Sequence, residues 1–135
     1  MIKGINHIGI AVKNLEESMK TFQTIFGVES FHRETVLEQS VEIASFPLNG
    51  ILIELTAPIN ESSPISKFLE KRGEGIHHIA FESDSLQKDL SKLSLDGIQL
   101  INQIPTNGAH DMQIAFLHPK STNGVLMELC QPNQS

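Results

Sequence analysis

An internal repeat is the strongest constraint that this sequence places on its own fold. The stretch "NHIGIAV", which contains His7, returns 71 residues later as "HHIAFES", which contains His78. Leu15 falls on Leu86 at the same spacing, and "ILIELTAP" near the end of the first copy returns as "VLMELCQP" near the end of the second. Each copy should therefore form the same unit, and the pattern of one copy supports the interpretation of the other.

Both copies predict a strand, a helix and three further strands. In the first copy, "INHIGIAVKN" alternates as a strand does, and "NLEESMKTFQTIFG" is amphipathic, with Asn14 as N-cap and Gly27 at its end. "VESFHRETV", "SVEIASFPL" and "GILIELTAP" follow as strands. In the second copy, "IHHIAFES" predicts a strand, "DSLQKDLSKLSLDG" a helix, and "IQLINQIP", "MQIAFLHP" and "GVLMELCQ" the three further strands.

The chain should thus be an α+β protein built from two tandem βαβββ modules. We expect module one at about residues 1–60, a linker with a short helix at about 61–74, and module two at about 75–135. A length of 135 residues suits a single domain that contains both modules.

Composition excludes several classes of partner. The net charge of −6 argues against nucleic acid, because phosphate binding needs clustered Lys and Arg. No apolar run approaches the roughly 20 residues of a membrane span, so we expect no membrane partner. Cys130 is the one cysteine, which excludes an internal disulfide and favours a reducing, cytoplasmic location.

Two histidines and two glutamates occupy equivalent positions in the two copies. His7 and His78 each begin the first strand of a copy, while Glu54 and Glu128 each lie in an apolar last strand. A carboxylate there is costly unless it is paired or bound to a cation. Imidazole and carboxylate suit Zn²⁺, Co²⁺, Mn²⁺, Ni²⁺ or Fe²⁺, so the four side chains predict one divalent metal site. Taken singly, each histidine could instead be a hydrogen-bonded residue, and each glutamate could face solvent.

The remaining histidines have other expected roles. His77 and His78 are neighbours on a strand, so their side chains point to opposite faces. Because His78 is the repeat partner of His7, we expect His77 at the surface or at an interface. His118, in "LHPK", is expected to shape the turn before Pro119.

The duplicated plan and its H…E / H…E pattern resemble the vicinal oxygen chelate superfamily, which includes glyoxalase I. Within it, "INHIGIAVKNLEES", "SPISKFLEKRGEGIHHIAFES" and "IAFLHPKSTNGVLMELCQ" resemble the methylmalonyl-CoA epimerase family over nearly the whole chain. The resemblance implies an open, eight-stranded, barrel-like cleft with the metal between the modules, and a homodimer. It also implies His7, His78 and Glu128 as metal ligands, and Glu54 at a position where some family members have Gln.

The resemblance further implies an isomerase that interconverts (2R)- and (2S)-methylmalonyl-CoA through a metal-stabilised enolate. Inversion at C2 needs a base on one face and an acid on the other. The family uses two glutamates: one matches Glu128, and the other lies in an "E-Q-G-V-x-E" stretch. This chain has "EQSVE" there, where Glu42 is the candidate and Glu38 the alternative. The competing interpretation of Glu42 is a solvated strand residue.

An acyl-CoA substrate carries phosphates, so it implies a local basic patch on this acidic chain. Lys120 and Ser121 in "HPKS" are the nearest candidates. Lys67, Lys71 and Arg72 form the other compact basic cluster, for which a solvated helix face is the preferred interpretation.

Two other functions stay open within the superfamily. A glyoxalase I-type lactoylglutathione lyase would use the same four ligands and transfer a proton through Glu128. A second glutamate at position 42 facing the metal would favour the epimerase, and its absence would favour the glyoxalase. A non-catalytic small-molecule binder ranks lower, because such proteins commonly lack the ligands and line the cleft with aromatic residues, which make up 5% of this chain.

Overall fold

The computed structural model describes residues 1–133, which form eight strands and three helices. In chain order these are β1 (Ile2–Ala11), α1 (Leu15–Phe26), β2 (His32–Val36), β3 (Val41–Leu48), β4 (Ile51–Pro58), α2 (Pro64–Arg72), β5 (Gly75–Ser83), α3 (Leu86–Leu95), β6 (Thr106–Asn107), β7 (Met112–Leu117) and β8 (Met127–Pro132). Short 3₁₀ turns lie at Leu37–Gln39, Ala109–Asp111 and Pro119–Ser121. The predicted α+β class, with βαβββ in each copy, is confirmed.

The strands follow the order β2-β3-β4-β1-β5-β8-β7-β6. By its internal contacts the chain divides into two compact units, and the division falls inside β1 and β5. One unit contains Ile8–His77, and the other contains Met1–His7 together with the chain from His78 onward. Strand β1 therefore gives residues to both units.

In the unit Ile8–His77, strands β2, β3 and β4 pair antiparallel with continuous register. Ser45 lies opposite Glu54 and Ile43 lies opposite Thr56, so these four side chains share one face of the β3–β4 pair. The other face packs against the start of α1 in a buried core of Val12, Leu15, Ala44, Leu55 and Ala57. The pair thus has an apolar face and a face that carries polar groups.

Helix α1 forms where the sequence predicts it. The side chain of Asn14 accepts a hydrogen bond from the backbone N–H of Glu17 at 3.0 Å, and Glu16 and Glu17 complement the positive end of the helix dipole. Gly27 ends the helix at φ 66°, a left-handed conformation that costs glycine little, and its N–H donates to the carbonyl of Gln23. These caps fix which residues of α1 lie over the sheet.

In the other unit, β5 runs parallel to β8, and β8 runs antiparallel to β7. Ala80 pairs with Glu128 on one side and Phe116 pairs with Glu128 on the other, so all three side chains share a face. The opposite face packs against α3 in a buried core of Leu86, Leu90, Leu100, Ala115, Leu117 and Leu129. This unit therefore repeats the division into a helix-covered face and a face with a buried carboxylate.

The predicted strand "IQLINQIP" does not form in full. Within the described residues, Leu100 makes an isolated bridge to β7, and β6 (Thr106–Asn107) begins after Pro105. The side-chain oxygen of Asn102 accepts a hydrogen bond from the backbone N–H of Phe116 at 2.8 Å, where a strand would offer a backbone carbonyl. Pro105 has no N–H to donate to a ladder. These two residues explain the interruption.

Among residues 1–133, no helix has the length and apolar character needed to cross a membrane.

Candidate active site

Three of the predicted ligands come together in the unit that contains Met1–His7 and the second copy. Nε2 of His7 lies 3.1 Å from Nε2 of His78. Oε2 of Glu128 lies 3.4 Å from Nε2 of His7, and Oε1 of Glu128 lies 3.5 Å from Nε2 of His78. All three residues are buried, with 6%, 7% and 3% of their surface exposed. The cluster is therefore shielded from bulk water.

These spacings suit a single cation. Ligand atoms about 2.0–2.2 Å from a Zn²⁺-like ion lie about 3.0–3.5 Å from one another in tetrahedral or octahedral geometry. Oε2 of Glu128 is also buried without a hydrogen-bond partner among the described residues. Such an oxygen is costly, and coordination to a cation would offset that cost. The residues present thus fit a divalent metal ion.

Asn6 fixes the orientation of His7. Its Oδ1 lies 2.7 Å from Nδ1 of His7, and its Nδ2 donates to Oε1 of Glu82 at 3.2 Å. An ionised carboxylate can only accept hydrogen bonds, so the amide nitrogen of Asn6 must face Glu82. The amide oxygen of Asn6 therefore faces His7. Nδ1 of His7 then carries the proton, and the lone pair of Nε2 is directed to the cluster.

Strand geometry places His78 beside Glu128. His78 precedes Ala80 by two residues on β5, and Ala80 pairs with Glu128, so both site residues share one face. The ring of Phe116 lies edge-on to the ring of His78, with 5.8 Å between centroids. Next to them lies an apolar cluster of Ala80, Met112, Ile114 and Cys130. Apolar surroundings strengthen the electrostatic interactions of Glu128 with its neighbours.

Glu54 occupies the equivalent strand position in the unit Ile8–His77. It is 2% exposed, and Ser45, opposite it on β3, is 1% exposed. Thr56 shares its face, and Oγ1 of Thr56 is buried without a hydrogen-bond partner in residues 1–133. Since Glu54 and Glu128 are both buried, their interpretation as solvent-facing residues is wrong.

Glu42 does not share a face with Glu54, so the register gives no support to its expected role as the second acid or base. In the β3–β4 register Glu42 pairs with Ala57, which belongs to the core on the α1 side. The carboxylate of Glu42 lies 3.5 Å from the guanidinium of Arg33, which also binds Glu16 of α1 at 2.7 Å. With 47% of its side chain exposed, Glu42 is a solvated strand residue.

Ile43 is the neighbour of Glu42 that shares the face of Glu54. The position two residues after Val41 in "EQSVEIASF" is Ile43, whereas Glu42 follows Val41 directly. Because side chains alternate along a strand, a shift of one residue exchanges the two faces. The alternative candidate, Glu38, lies exposed in the 3₁₀ turn Leu37–Gln39.

Lys120 and Ser121 lie in the 3₁₀ turn that follows His118. Lys120 is exposed, and the hydroxyl of Ser121 accepts a hydrogen bond from the N–H of Gln99 at 2.9 Å. Nδ1 of His118 accepts a hydrogen bond from the N–H of Lys120 at 3.1 Å, so His118 shapes this turn as expected. The structure thus presents the ammonium group of Lys120 to solvent.

The second basic cluster lies on α2, and His77 packs against the same helix. Lys67, Lys71 and Arg72 are exposed on α2, as a solvated helix face requires, and the guanidinium of Arg72 lies 5.9 Å from the ring of Phe68. The ring of His77 lies edge-on to Phe68 at 5.0 Å, and burial lowers the pKa of His77 to about 4. His77 is therefore half-buried against α2.

The alternating pattern gives no reason to pair Asn6 with His7, because neighbours on a strand point to opposite faces. Sequence reasoning therefore misses Asn6 and, with it, Glu82. The available signal is an amide directly before a predicted ligand in "NHIG".

Comparison with known proteins assigns the family. Residues 6–116 match the model of the Glyoxalase/Bleomycin resistance protein/Dioxygenase superfamily. The mitochondrial methylmalonyl-CoA epimerase of Dictyostelium discoideum is 39% identical over 126 residues, which are 93% of this chain and 76% of that protein. The ethylmalonyl-CoA/methylmalonyl-CoA epimerase of Cereibacter sphaeroides is 36% identical over 133 residues, 97% of this chain and 99% of that protein.

The fold agrees with that assignment. A solved structure of a methylmalonyl-CoA epimerase in complex with methylmalonyl-CoA and NH4+ superposes with a TM-score of 0.93 at 34% identity, over 98% of this chain and 96% of that chain. The chain therefore belongs to the methylmalonyl-CoA epimerase family of the Glyoxalase/Bleomycin resistance protein/Dioxygenase superfamily, and its reaction class is that of an isomerase.

Proposed function

We propose that this chain epimerises methylmalonyl-CoA at C2 with one bound divalent metal ion. The observation that carries the proposal is the buried cluster of His7, His78 and Glu128, whose ligand atoms lie 3.1–3.5 Å apart. Membership in the epimerase family supports the choice of substrate.

His7, His78 and Glu128 would hold the ion, and we propose Glu54 as the fourth ligand. Its burial and its repeat-equivalent position on β4 support this role. Two imidazoles and two carboxylates suit Co²⁺, Zn²⁺, Mn²⁺, Ni²⁺ or Fe²⁺ alike. When bound, such an ion stabilises the negative charge that develops on the thioester oxygen as the C2 proton leaves.

Glu128 is the proposed proton acceptor. Its position beside Phe116 and Ala80 keeps the carboxylate away from bulk water, so the proton it takes from C2 is retained for return to carbon. Asn6 holds the ring of His7 in the orientation that keeps Nε2 near Glu128.

Binding of the coenzyme A portion is proposed at Lys120, with Ser121 beside it. The support is an exposed ammonium group on a turn that His118 fixes. A phosphate group needs only a local positive charge, which an acidic chain can offer at one such turn.

We also propose a homodimer and a cytoplasmic location. Ile2 and Ile5, each 43% exposed and on opposite faces of β1, are apolar side chains that a contact between two copies could cover. Cys130 is the one cysteine of the sequence and is buried, which supports a reducing location. Sedimentation velocity would measure the assembly: a monomer at micromolar concentration would contradict the dimer.

The test of the proposed function is proton exchange at C2 of methylmalonyl-CoA in D₂O, followed by ¹H NMR. We expect the C2–H signal to disappear with the Co²⁺-loaded protein and to persist after removal of metal with EDTA. A folded, metal-loaded protein that leaves the signal intact would contradict the proposal.

A glyoxalase I-type activity is the second candidate, and one observation favours it. Glu42 does not lie on the face of Glu54, and the lack of a glutamate at position 42 that faces the metal is the feature expected of a glyoxalase. The same protein should be assayed with methylglyoxal and glutathione. Formation of S-lactoylglutathione without C2 exchange on methylmalonyl-CoA would replace the epimerase by this second function.

A further inference from the structure

Phe116 borders the cluster of His7, His78 and Glu128 from within the same compact unit. Its side chain shares a face with Glu128, because the two residues pair directly between β7 and β8. Its ring lies edge-on to the ring of His78, with 5.8 Å between centroids. An aromatic side chain thus adjoins two of the proposed metal ligands.

The substrate brings one apolar group to this place. Under the function proposed above, on which this inference rests, the reaction takes place at the cluster. The reacting carbon C2 of methylmalonyl-CoA carries a thioester carbonyl, a carboxylate and a methyl group. A metal ion and polar side chains suit the first two groups, whereas the methyl group is best placed against an apolar surface. Phe116 offers such a surface beside the cluster.

The residues around Phe116 are apolar and closely packed. Strand alternation and pairing place four of them on the face of Glu128, where Phe116 packs against them: Ala80, Met112, Ile114 and Cys130. Each of the four is at most 8% exposed. Phe116 itself is half-buried, so part of its ring stays accessible. Of these five residues, Phe116 presents the most surface to a substituent on C2.

The backbone of Phe116 is held by the segment that interrupts the predicted strand "IQLINQIP". Its N–H donates to Oδ1 of Asn102 at 2.8 Å, and its carbonyl accepts from the N–H groups of Ile101 at 2.8 Å and Asn102 at 3.3 Å. Both backbone groups of Phe116 therefore point away from β8. Phe116 and Glu128 thus form a non-hydrogen-bonded pair, the kind in which opposed side chains lie closer together.

This arrangement gives the space beside Glu128 a fixed size. Phe116 is joined to Asn102 on one side, and its strand is paired with β8 on the other. The strand cannot shift without loss of these bonds, and the buried neighbours of the ring leave it closely packed. A bulky group on C2 would therefore meet a ring that does not retreat.

We propose that Phe116 limits the size of the C2 substituent that this enzyme accepts. The substrates are then malonyl thioesters with a short 2-alkyl group. A longer alkyl group on C2 collides with the ring, or it turns C2 away from the cluster of His7, His78 and Glu128.

Phe116→Ala is the deciding variant, with methylmalonyl-CoA and synthetic 2-butylmalonyl-CoA as the probes. Proton exchange at C2 in D₂O with the Co²⁺-loaded protein gives kcat/KM for each thioester. One methylene more or less in an apolar pocket changes specificity by about 10–200-fold. We expect the wild type to prefer methylmalonyl-CoA by about 10-fold or more, and Phe116→Ala to reduce that preference by about 10-fold or more.

Two further variants separate the size limit from damage to the fold or to the metal cluster. Phe116→Leu retains an apolar side chain and should shift the preference in the same direction by a smaller factor. Phe81→Leu is the matched control, because it removes a half-buried ring from the face of β5 that packs against α3. It should leave the preference unchanged. Co²⁺ affinity, measured by competition with a chelator, should equal that of the wild type in all three variants.

The outcomes distinguish this inference from the function on which it rests. An unchanged preference in Phe116→Ala with wild-type Co²⁺ affinity would overturn it, as would a wild type that exchanges both thioesters equally fast. Loss of Co²⁺ in both Phe116 variants would make the ring a support for His78 and would also overturn it. Absence of exchange with either thioester in the folded, Co²⁺-loaded wild type would instead contradict the proposed function itself.

Discussion

Nδ1 of His7 donates a hydrogen bond to Oδ1 of Asn6 over 2.7 Å, and Asn6 in turn donates to Glu82. Partners of this kind hold a ligating imidazole in one tautomer and one orientation. We therefore expect Asn6→Leu to weaken Co²⁺ binding by about 10–100-fold, measured by competition with a chelator.

Gln87→Leu is the control for that substitution, because Gln87 is an exposed amide on α3. It should leave Co²⁺ affinity unchanged. Equal affinities for Asn6→Leu and the wild type would show that His7 needs no support from Asn6.

Glu128→Gln should make the metal-free protein more stable while it abolishes inversion. The substitution replaces a buried carboxylate, one oxygen of which lacks a hydrogen-bond partner in the described residues, by a neutral amide of the same shape. We expect the free energy of unfolding without metal to rise by about 1 kcal/mol, measured by urea denaturation. Inversion should fall by about 10²–10⁴-fold. Glu70→Gln, on the exposed side of α2, should change neither quantity.

Metal binding should stabilise the folded chain. A ligand present at 100 times its Kd adds about 2.7 kcal/mol to the free energy of unfolding, so Co²⁺ should raise Tm and EDTA should reverse the rise. His78→Ala removes one nitrogen of the cluster and should remove most of that effect. His118→Asn retains an acceptor for the turn at Lys120 and should preserve it. A Co²⁺-dependent rise in Tm that survives in His78→Ala would place the metal elsewhere.

Lys120→Ala should weaken binding of the acyl-CoA substrate without slowing the chemical step. One exposed charge facing a phosphate contributes up to about 1 kcal/mol, so KM should rise about 3–5-fold at low salt with kcat unchanged. The effect should shrink as ionic strength increases. Lys88→Ala, which removes an exposed charge from α3, is the control. An unchanged KM in Lys120→Ala would exclude Lys120 from coenzyme A binding.

Leu90→Ala should destabilise the chain through the core beneath α3. Leu90 is 0% exposed and packs within the cluster that includes Leu86 and Leu129. Truncation of such a side chain costs about 2–5 kcal/mol, which urea denaturation would measure. Gln87→Ala on the outer side of α3 should cost less than about 0.5 kcal/mol. A small effect at Leu90 would mean that the core closes around the cavity.

Strong local signals and the repeat account for what the sequence predicts correctly. Asn14 and Gly27 define both ends of α1, because a side-chain cap and a left-handed glycine act locally. His7, His78 and Glu128 lie together in the structure. The repeat predicts this grouping because it relates equivalent positions that secondary-structure propensity alone does not connect. Equivalent positions in two copies therefore predicted three members of the candidate site.

The sequence does not predict well which face of a strand a residue occupies when a shift of one residue in strand register would change that face. Glu42 and Ile43 are adjacent, and only the observed pairing with β4 shows which of them shares the face of Glu54. The predicted strand "IQLINQIP" fails because Asn102 makes a side-chain hydrogen bond that hydrophobic periodicity does not reveal. Both cases concern the register of a strand against its neighbour, which the periodicity of a single segment does not determine.

The division inside β1 bears on how such a chain could have arisen. Residues up to His7 belong to the unit formed mainly by the second copy, whereas Ile8 onward belongs with the first. A fragment that starts at Gly75 would contain His78 and Glu128 but lack His7. A half-length ancestor with one copy could therefore have assembled these three residues only if its first strand paired with a second molecule. Duplication and fusion of its gene would have placed the exchanged strand within one polypeptide.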